Sequence, residues 1–420
     1  MKGLPLTLLL VAGFTFGAVE TGWTQEADEA MQRAMSVLRT SPLIDTHNDL
    51  PWVIREKANG DVKEFDLSVR RDLDTDIPRL REGMVGTQFW SVWVPSSLSP
   101  LDAMRQQLEQ IDLARRMIAA YADDFGFAVS TGDIQREQRR GRIASLIGIE
   151  GGHSMGNSLG ALRAYYDLGV RYMTLTHFHT IDWADSATDE ARHDGITPFG
   201  EEVVREMNRL GMMVDISHVS EAAMSDVLRV SEAPVIFSHS SARTLTKHMR
   251  NVPDNILKQM PENGGVVMVA FIPPFVSEPA RIWADDLFPL LKQAQSDDQW
   301  QHITRQYETE RGASPRAKLT DVANHIDYIA KVAGVDHVGI GADFYGAEIE
   351  SELVQGLEDV SKYPLLFAEL VRRGWSDEDL RKLARENLLR AFAEVEQLAS
   401  RLRRSRSPSL ATIEELDNQP

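Results

Sequence analysis

The chain has no cysteine among its 420 residues. Disulfides, a thiolate nucleophile and a sulfur-ligated zinc site are therefore excluded. Basic residues are in deficit: 45 Lys and Arg stand against 63 Asp and Glu, a formal charge of −18. A chain this acidic has no broad patch to neutralise phosphates, which argues against a nucleic-acid partner. The one basic cluster, Arg401 to Arg406, lies near the C-terminus, and residues 405–420 read as a flexible, solvated tail. Long apolar runs are also absent, with one exception. Leu4 to Val19 follows Met1-Lys2 and precedes the polar stretch Glu20 to Gln25. That is the n-region and h-region of a secretory signal peptide, so residues 1–25 are expected to direct export and be removed. An uncleaved membrane anchor is the alternative, although the run is short for a span and contains Thr and Gly.

What remains has the make-up of a soluble globular enzyme, with 43% apolar and 26% charged residues. Eight short apolar runs read as strands: 42–47, 86–94, 143–150, 172–177, 212–218, 234–239, 265–272 and 337–343. Helical periodicity separates most of them, at 102–121, 158–168, 198–210, the short stretch after Ser220, and 319–332. Further helices follow the last strand, near 362–372 and 376–403. Gly169 and Gly211 stop two of these helices. Strands alternating with helices imply a parallel sheet, and eight such units imply a (β/α)8 TIM-like barrel spanning residues 26–404. A doubly wound open sheet is the alternative; it would build its site at one switch point rather than from many strands. Three insertions, 51–84, 178–197 and 273–317, each follow a strand and so belong on the catalytic face.

Seven ionisable side chains sit where these runs stop: His47, Asp49, Glu150, His177, His218, His239 and Asp343. In a parallel barrel the carboxyl ends of the strands converge on one face. His47 and Asp49 are two apart, so in an extended chain both point the same way. Glu150 has two oxygens and is followed by Gly151-Gly152, which let the backbone bend past a ligand. The implied site holds one ion by His47, Asp49 and Glu150 and a second by Glu150, His218 and His239. Imidazole and carboxylate without thiolate suit Zn2+, with Mn2+, Co2+ and Fe2+ as further candidates. A lone histidine near a strand end is more often structural; three in one position with two carboxylates are not. His153, His179 and His193 read as polar neighbours, and His248, His302, His325 and His337 as structural or solvated residues.

These residues lie in stretches that resemble the membrane (renal) dipeptidases, zinc metallopeptidases among the amidohydrolase-like barrels. The matching stretches are Ile44 to Pro51, Gly148 to His153, Arg171 to His177, Trp183 to Ser186, Leu210 to His218, Phe237 to Ala242, Arg250 to Asp254 and His337 to Phe344. They run in order from about residue 40 to 400. The resemblance implies a binuclear zinc site on the five ligands, with Glu150 bridging. It also implies that His177 stabilises the tetrahedral intermediate, that Arg250 engages the substrate carboxylate, and that Asp343 handles the water proton or the substrate amine. Three departures stand out. Asp343-Phe344-Tyr345-Gly346 replaces an Asp-Phe-Asp-Gly common in the family. Met268 to Ile272 lacks the Asn and Tyr that many relatives carry. The disulfides of the animal enzymes are missing, which together with the signal segment suggests an exported bacterial member, periplasmic or extracellular.

The expected chemistry is attack on a dipeptide carbonyl by hydroxide shared between two cations about 3.5 Å apart. His177 would donate to the developing oxyanion. Arg250 would clamp the terminal carboxylate with two parallel hydrogen bonds. Asp343 would carry the proton to the leaving amine. L-Xaa-D-Xaa dipeptides are expected to be cleaved alongside L,L forms, because the C-terminal side chain faces the open side of the site. The rival reading is a barrel hydrolase of N-acyl amino acids, lactones or phosphotriesters. Many of those bridge their metals with a carboxylated Lys, and no Lys ends a strand here. A third reading, a non-catalytic periplasmic metal-dependent binding protein, would predict loss of Asp343 or a ligand, and neither is lost. The sequence leaves a homodimer open.

Overall fold

The computed structural model describes residues 20–294, 296–347 and 349–417. Most of the expected signal segment lies outside them; Glu20 onward opens a helix, Glu20–Thr40. No helix among the described residues is long and apolar enough to cross a membrane.

Nine parallel strands are present among the described residues. They are β1 (Leu43–Asp45), β2 (Val85–Trp93), β3 (Phe125–Phe127), β4 (Ile143–Glu150), β5 (Val170–Thr174), β6 (Met213–Asp215), β7 (Ile236–Phe237), β8 (Val266–Val269) and β9 (Val338–Ile340). Leaving out β3, neighbours pair in the order β2-β1-β9-β8-β7-β6-β5-β4, and β4 returns to β2 from Thr87↔Ala144 to Trp93↔Glu150. That last ladder closes an eight-stranded barrel of the TIM type, built from the eight runs read as strands. β3 was not anticipated. It is three residues long, Phe-Gly-Phe, and pairs with β4 at Ile143 to Ser145, below the point where β5 joins at Ile147.

Hydroxyl caps start the helices between strands. Ser99, Ser130, Ser158, Thr197 and Ser220 each accept a backbone N–H of the first turn. Gly211 ends the helix Pro198–Leu210 in a left-handed conformation, φ 88°.

The barrel interior is filled by Ile44, Phe89, Leu146, Tyr172, Met213, Ile236 and Met268, packed with Leu388, Ala391, Phe392 and Val395 of the helix Asn387–Ser405. Arg390 and Asn387 of that helix donate to Gly264 O and Val335 O, just before β8 and β9. The helix therefore closes the amino-terminal end of the barrel and leaves the carboxyl ends free for a site. It was expected to start at 376; instead Asp377–Arg381 leads through a π turn, Lys382–Glu386, into it. The stretch read as a flexible tail carries a short helix, Ile413–Asp417. Asp417 caps the backbone N–H of Phe199 at 2.9 Å, and Ser409 O accepts from Arg163, so this segment lies along the helix Pro198–Leu210.

The insertions sit after β1, β5 and β8. The largest, 273–317, contains the helices Pro273–Val276, Glu278–Ala284, Phe288–Leu291 and Asp297–Arg311. Its Leu287, Leu291 and Tyr307 form a small core of their own with Trp283, Trp300 and Ile303.

Candidate active site

Glu150 is the last residue of β4, and its two oxygens face different partners. Oε2 lies 3.5 Å from His47 Nε2, which is also 3.5 Å from Asp49 Oδ2. Oε1 lies 3.0 Å from His218 Nε2 and 3.3 Å from His239 Nε2, and those two nitrogens are 2.9 Å apart. All five residues are buried. Ligands at about 2.0–2.2 Å around a tetrahedral ion are separated by about 3.3–3.6 Å, close to these spacings.

The hydrogen bonds behind the imidazoles support the same arrangement. Tyr172 Oη donates to Thr46 O (3.0 Å) and lies 3.0 Å from His47 Nδ1, so its oxygen is left to accept from that nitrogen. Ser238 Oγ donates to Asp215 Oδ2 (2.5 Å) and lies 2.8 Å from His239 Nδ1. In His47 and His239, Nδ1 therefore carries the ring's proton and Nε2 offers a lone pair to the cluster, while His218 Nδ1 has no hydrogen-bond partner among the described residues. His47 Nε2 and Asp49 Oδ1 are buried with no hydrogen-bond partner among the described residues. Buried acceptors left open and aimed at one another fit a divalent metal cofactor.

The backbone is strained at the same place. His218 and Asp343 adopt φ of 69° and 67°, left-handed values rare for side chains other than glycine. Asp343 Oδ1 stands 3.7 Å from His47 Nε2. Burial pushes its carboxyl up to about 8; His47 and Arg250 oppose the rise, and Asp49 and Glu150 add to it. His177 Nε2 is 3.7 Å from Glu150 Oε1, and burial lowers this imidazole to about 3, keeping it neutral.

Arg250 is fully buried beside this cluster. Its Nη2 donates to His239 O at 3.3 Å and its Nη1 to Ser240 Oγ at 3.4 Å, both long. The guanidinium sits 5.3 Å from the Phe275 ring centre, and Nε has no partner among the described residues. Burial lowers its pKa to about 10. No carboxylate pairs with it among the described residues.

The sequence from residue 31 to 406 matches the family model described as membrane dipeptidase, peptidase family M19. The chain belongs to that family. It is a metallo-dipeptidase. The probable dipeptidase PvdM from Pseudomonas aeruginosa shares its fold, with 24% identity over 88% of this chain and 99% of that one and a TM-score of 0.77. A metallopeptidase from Rhodobacter sphaeroides, crystallised with a phosphinate mimic of the dipeptide L-Ala-D-Ala, is 25% identical over 84% of this chain and 99% of its own, with a TM-score of 0.69.

In this dipeptidase the site is roofed by aromatic rings. Phe178 packs tilted against His177 with ring centres 3.8 Å apart and meets Phe288 at 5.3 Å and Trp300 at 6.3 Å, both from the 273–317 insertion. Lys292 ties the same insertion to the 178–197 loop through Thr188 O and Asp189. Glu352 accepts from Trp300 Nε1 and Thr304 Oγ1, both at 3.2 Å.

Of the histidines set aside, His248 Nδ1 accepts the Arg250 backbone N–H at 3.1 Å, and His325 is buried and accepts the Ala242 N–H at 2.9 Å. Four supporting residues were missed in the sequence. Asp45 accepts from Tyr363 Oη (2.7 Å) and from the backbone N–H groups of His47 and Ala342, tying the ends of β1 and β9. Asp215 gathers Thr174, Ser238 and the Ser217 N–H. Tyr172 crosses the barrel beneath His47, with room for its ring only because residue 148 is glycine: a Cβ there would lie 2.0 Å from it. Trp93 ends β2, and its Nε1 donates to His177 Nδ1 at 3.2 Å. It stood where a run stopped, as the seven ionisable residues did; a search for strand-end donors of any kind would have included it.

Proposed function

We propose that this chain hydrolyses dipeptides bearing a free carboxylate at a binuclear zinc centre bridged by Glu150, and that it accepts a D-residue at the C-terminal position. Arg250 carries the reading. A buried guanidinium with two long hydrogen bonds among the described residues costs several kcal/mol unless an anion completes it. A substrate carboxylate is such an anion, and its planar pair of oxygens suits the guanidinium fork. Arg250 is joined to the cluster's backbone by its bond to His239 O at 3.3 Å. A short substrate held at both points leaves room for little between them.

His47, Asp49 and Glu150 Oε2 would hold one ion, and Glu150 Oε1, His218 and His239 the other. Bound zinc supplies Lewis acidity and a nucleophilic hydroxide at neutral pH. His177 donates to the carbonyl oxygen as charge develops there. Asp343, ionised once cations neutralise the carboxylates of Asp49 and Glu150 beside it, would take up a proton at a carboxylate oxygen and pass it to the leaving nitrogen. Phe178, Phe288 and Trp300 exclude bulk water. The C-terminal side chain would point to the side bordered by the 178–197 and 273–317 segments, and Tyr345, Ala270 and Ile272 are the positions whose change would close that side to a D-residue. The L-Ala-D-Ala mimic bound by the Rhodobacter sphaeroides metallopeptidase supports tolerance of the D-centre. Export by residues 1–25 belongs to the same proposal.

The test is zinc titration of chelated protein, followed by rates on L-Ala-L-Ala, L-Ala-D-Ala and N-acetyl-alanine. Activity on both dipeptides should plateau at two zinc ions per chain, with N-acetyl-alanine untouched. Full activity at one ion would refute the binuclear centre. A D-substrate disadvantage beyond about a thousandfold, roughly 4 kcal/mol, would refute the tolerance.

A further inference from the structure

His177 could enter the site in two chemically opposite ways. With a bare Nε2 it would be a further metal ligand, and its nitrogen does fall within reach of Glu150 and His218 as a third corner of a candidate metal triad. With a protonated Nε2 it would be a hydrogen-bond donor. The choice is made at the other nitrogen. Trp93 Nε1 lies 3.2 Å from His177 Nδ1. An indole nitrogen is a donor only, so the Nδ1 facing it must be an acceptor and carry no proton. A neutral imidazole then carries its proton on Nε2.

The contact is built rather than incidental. Trp93 pairs with Glu150 in the β2–β4 ladder, which fixes its height in the barrel. Its indole is held edge-on by Trp52, with centroids 4.4 Å apart. The His177 ring is gripped by Phe178 at 3.8 Å, His218 at 4.4 Å and Trp93 at 5.5 Å.

We propose that Trp93 is a positioning residue that locks His177 in its Nε2–H tautomer, making it a donor toward the substrate carbonyl oxygen instead of a metal ligand. The proposal rests on the hydrolytic reading above for its consequence, but the tautomer itself can be read without substrate.

The test is nitrogen NMR of histidine-labelled protein, with zinc bound and after chelation, the His177 signals being assigned by their loss in His177→Asn. Nε2 should be protonated and Nδ1 bare in both states. Trp93→Phe keeps an aromatic ring but removes the donor. Replacing Trp93 by benzothienylalanine, whose sulfur takes the place of the N–H, keeps the shape as well. Either change should introduce the Nδ1–H form and lower kcat by about tenfold, the scale of one net hydrogen bond, with KM and zinc content little changed. A proton on Nδ1 in the unaltered protein would overturn the proposal. So would an isosteric variant that keeps the original tautomer or the original kcat. Protein inert toward dipeptides but with Nε2–H on His177 would overturn the hydrolytic reading and uphold the tautomer assignment.

Discussion

Arg250 concentrates the physical argument in one side chain, because it is buried with two long hydrogen bonds and no paired carboxylate among the described residues, which leaves its fork able to take an anion from outside. Arg250→Lys keeps the charge and loses the planar fork. We expect kcat/KM on dipeptides to fall by about a hundredfold or more, close to 3 kcal/mol, with zinc content unchanged. Near-normal kinetics in that variant would show that the guanidinium does not read the substrate. The residues that gather at the candidate metal site were legible in the sequence because a barrel sends every strand end to one face, so position alone brings them together. Tyr172, Asp215 and Trp93 were not, because each acts through a neighbour on another strand. Asp215 reaches His239 only through Ser238, and nothing in the linear order of β6 and β7 announces that link.

Among the elements, the strands were legible and the roof was not. Short apolar runs bounded by polar residues identify β1 to β9 except the three-residue β3, whose pairing depends on β4. The helices of the 273–317 insertion pack on one another and on Phe178 through scattered aromatic residues with no long periodicity. Their attachment is expected to weaken as pH rises, through Glu352. Burial raises the Glu352 carboxyl to about 7, outweighing the Trp300 and Thr304 hydrogen bonds that oppose the rise. Its folded pKa lies above the ordinary carboxylate value, so its stabilising contribution is complete below about 4.5 and is lost as pH rises through about 7. Hydrogen exchange in the helix Asp297–Arg311, corrected for intrinsic rates, should therefore quicken between pH 5 and 8. Glu352→Gln should flatten that dependence, and an equal pH response in the variant would exclude Glu352 as the latch.

For the molecule as a whole, the barrel is closed at one end by the helix Asn387–Ser405 and left open at the other, where buried imidazoles and carboxylates crowd within a few ångströms. Such crowding favours unfolding until cations occupy it. Bound metal stabilises the folded state by mass action, by about 4 kcal/mol at a free concentration a thousand times Kd. Chelation should lower Tm measurably, and zinc should restore it; an unchanged Tm would mean that the cluster is not a metal site. The central claim is that one dipeptide spans the metals and Arg250, and a single comparison tests it most directly: kcat/KM for L-Ala-D-Ala against its C-terminal amide, on zinc-loaded protein. The amide lacks the anion that completes Arg250 and should be at least about a hundredfold poorer. Equal rates on acid and amide would contradict it.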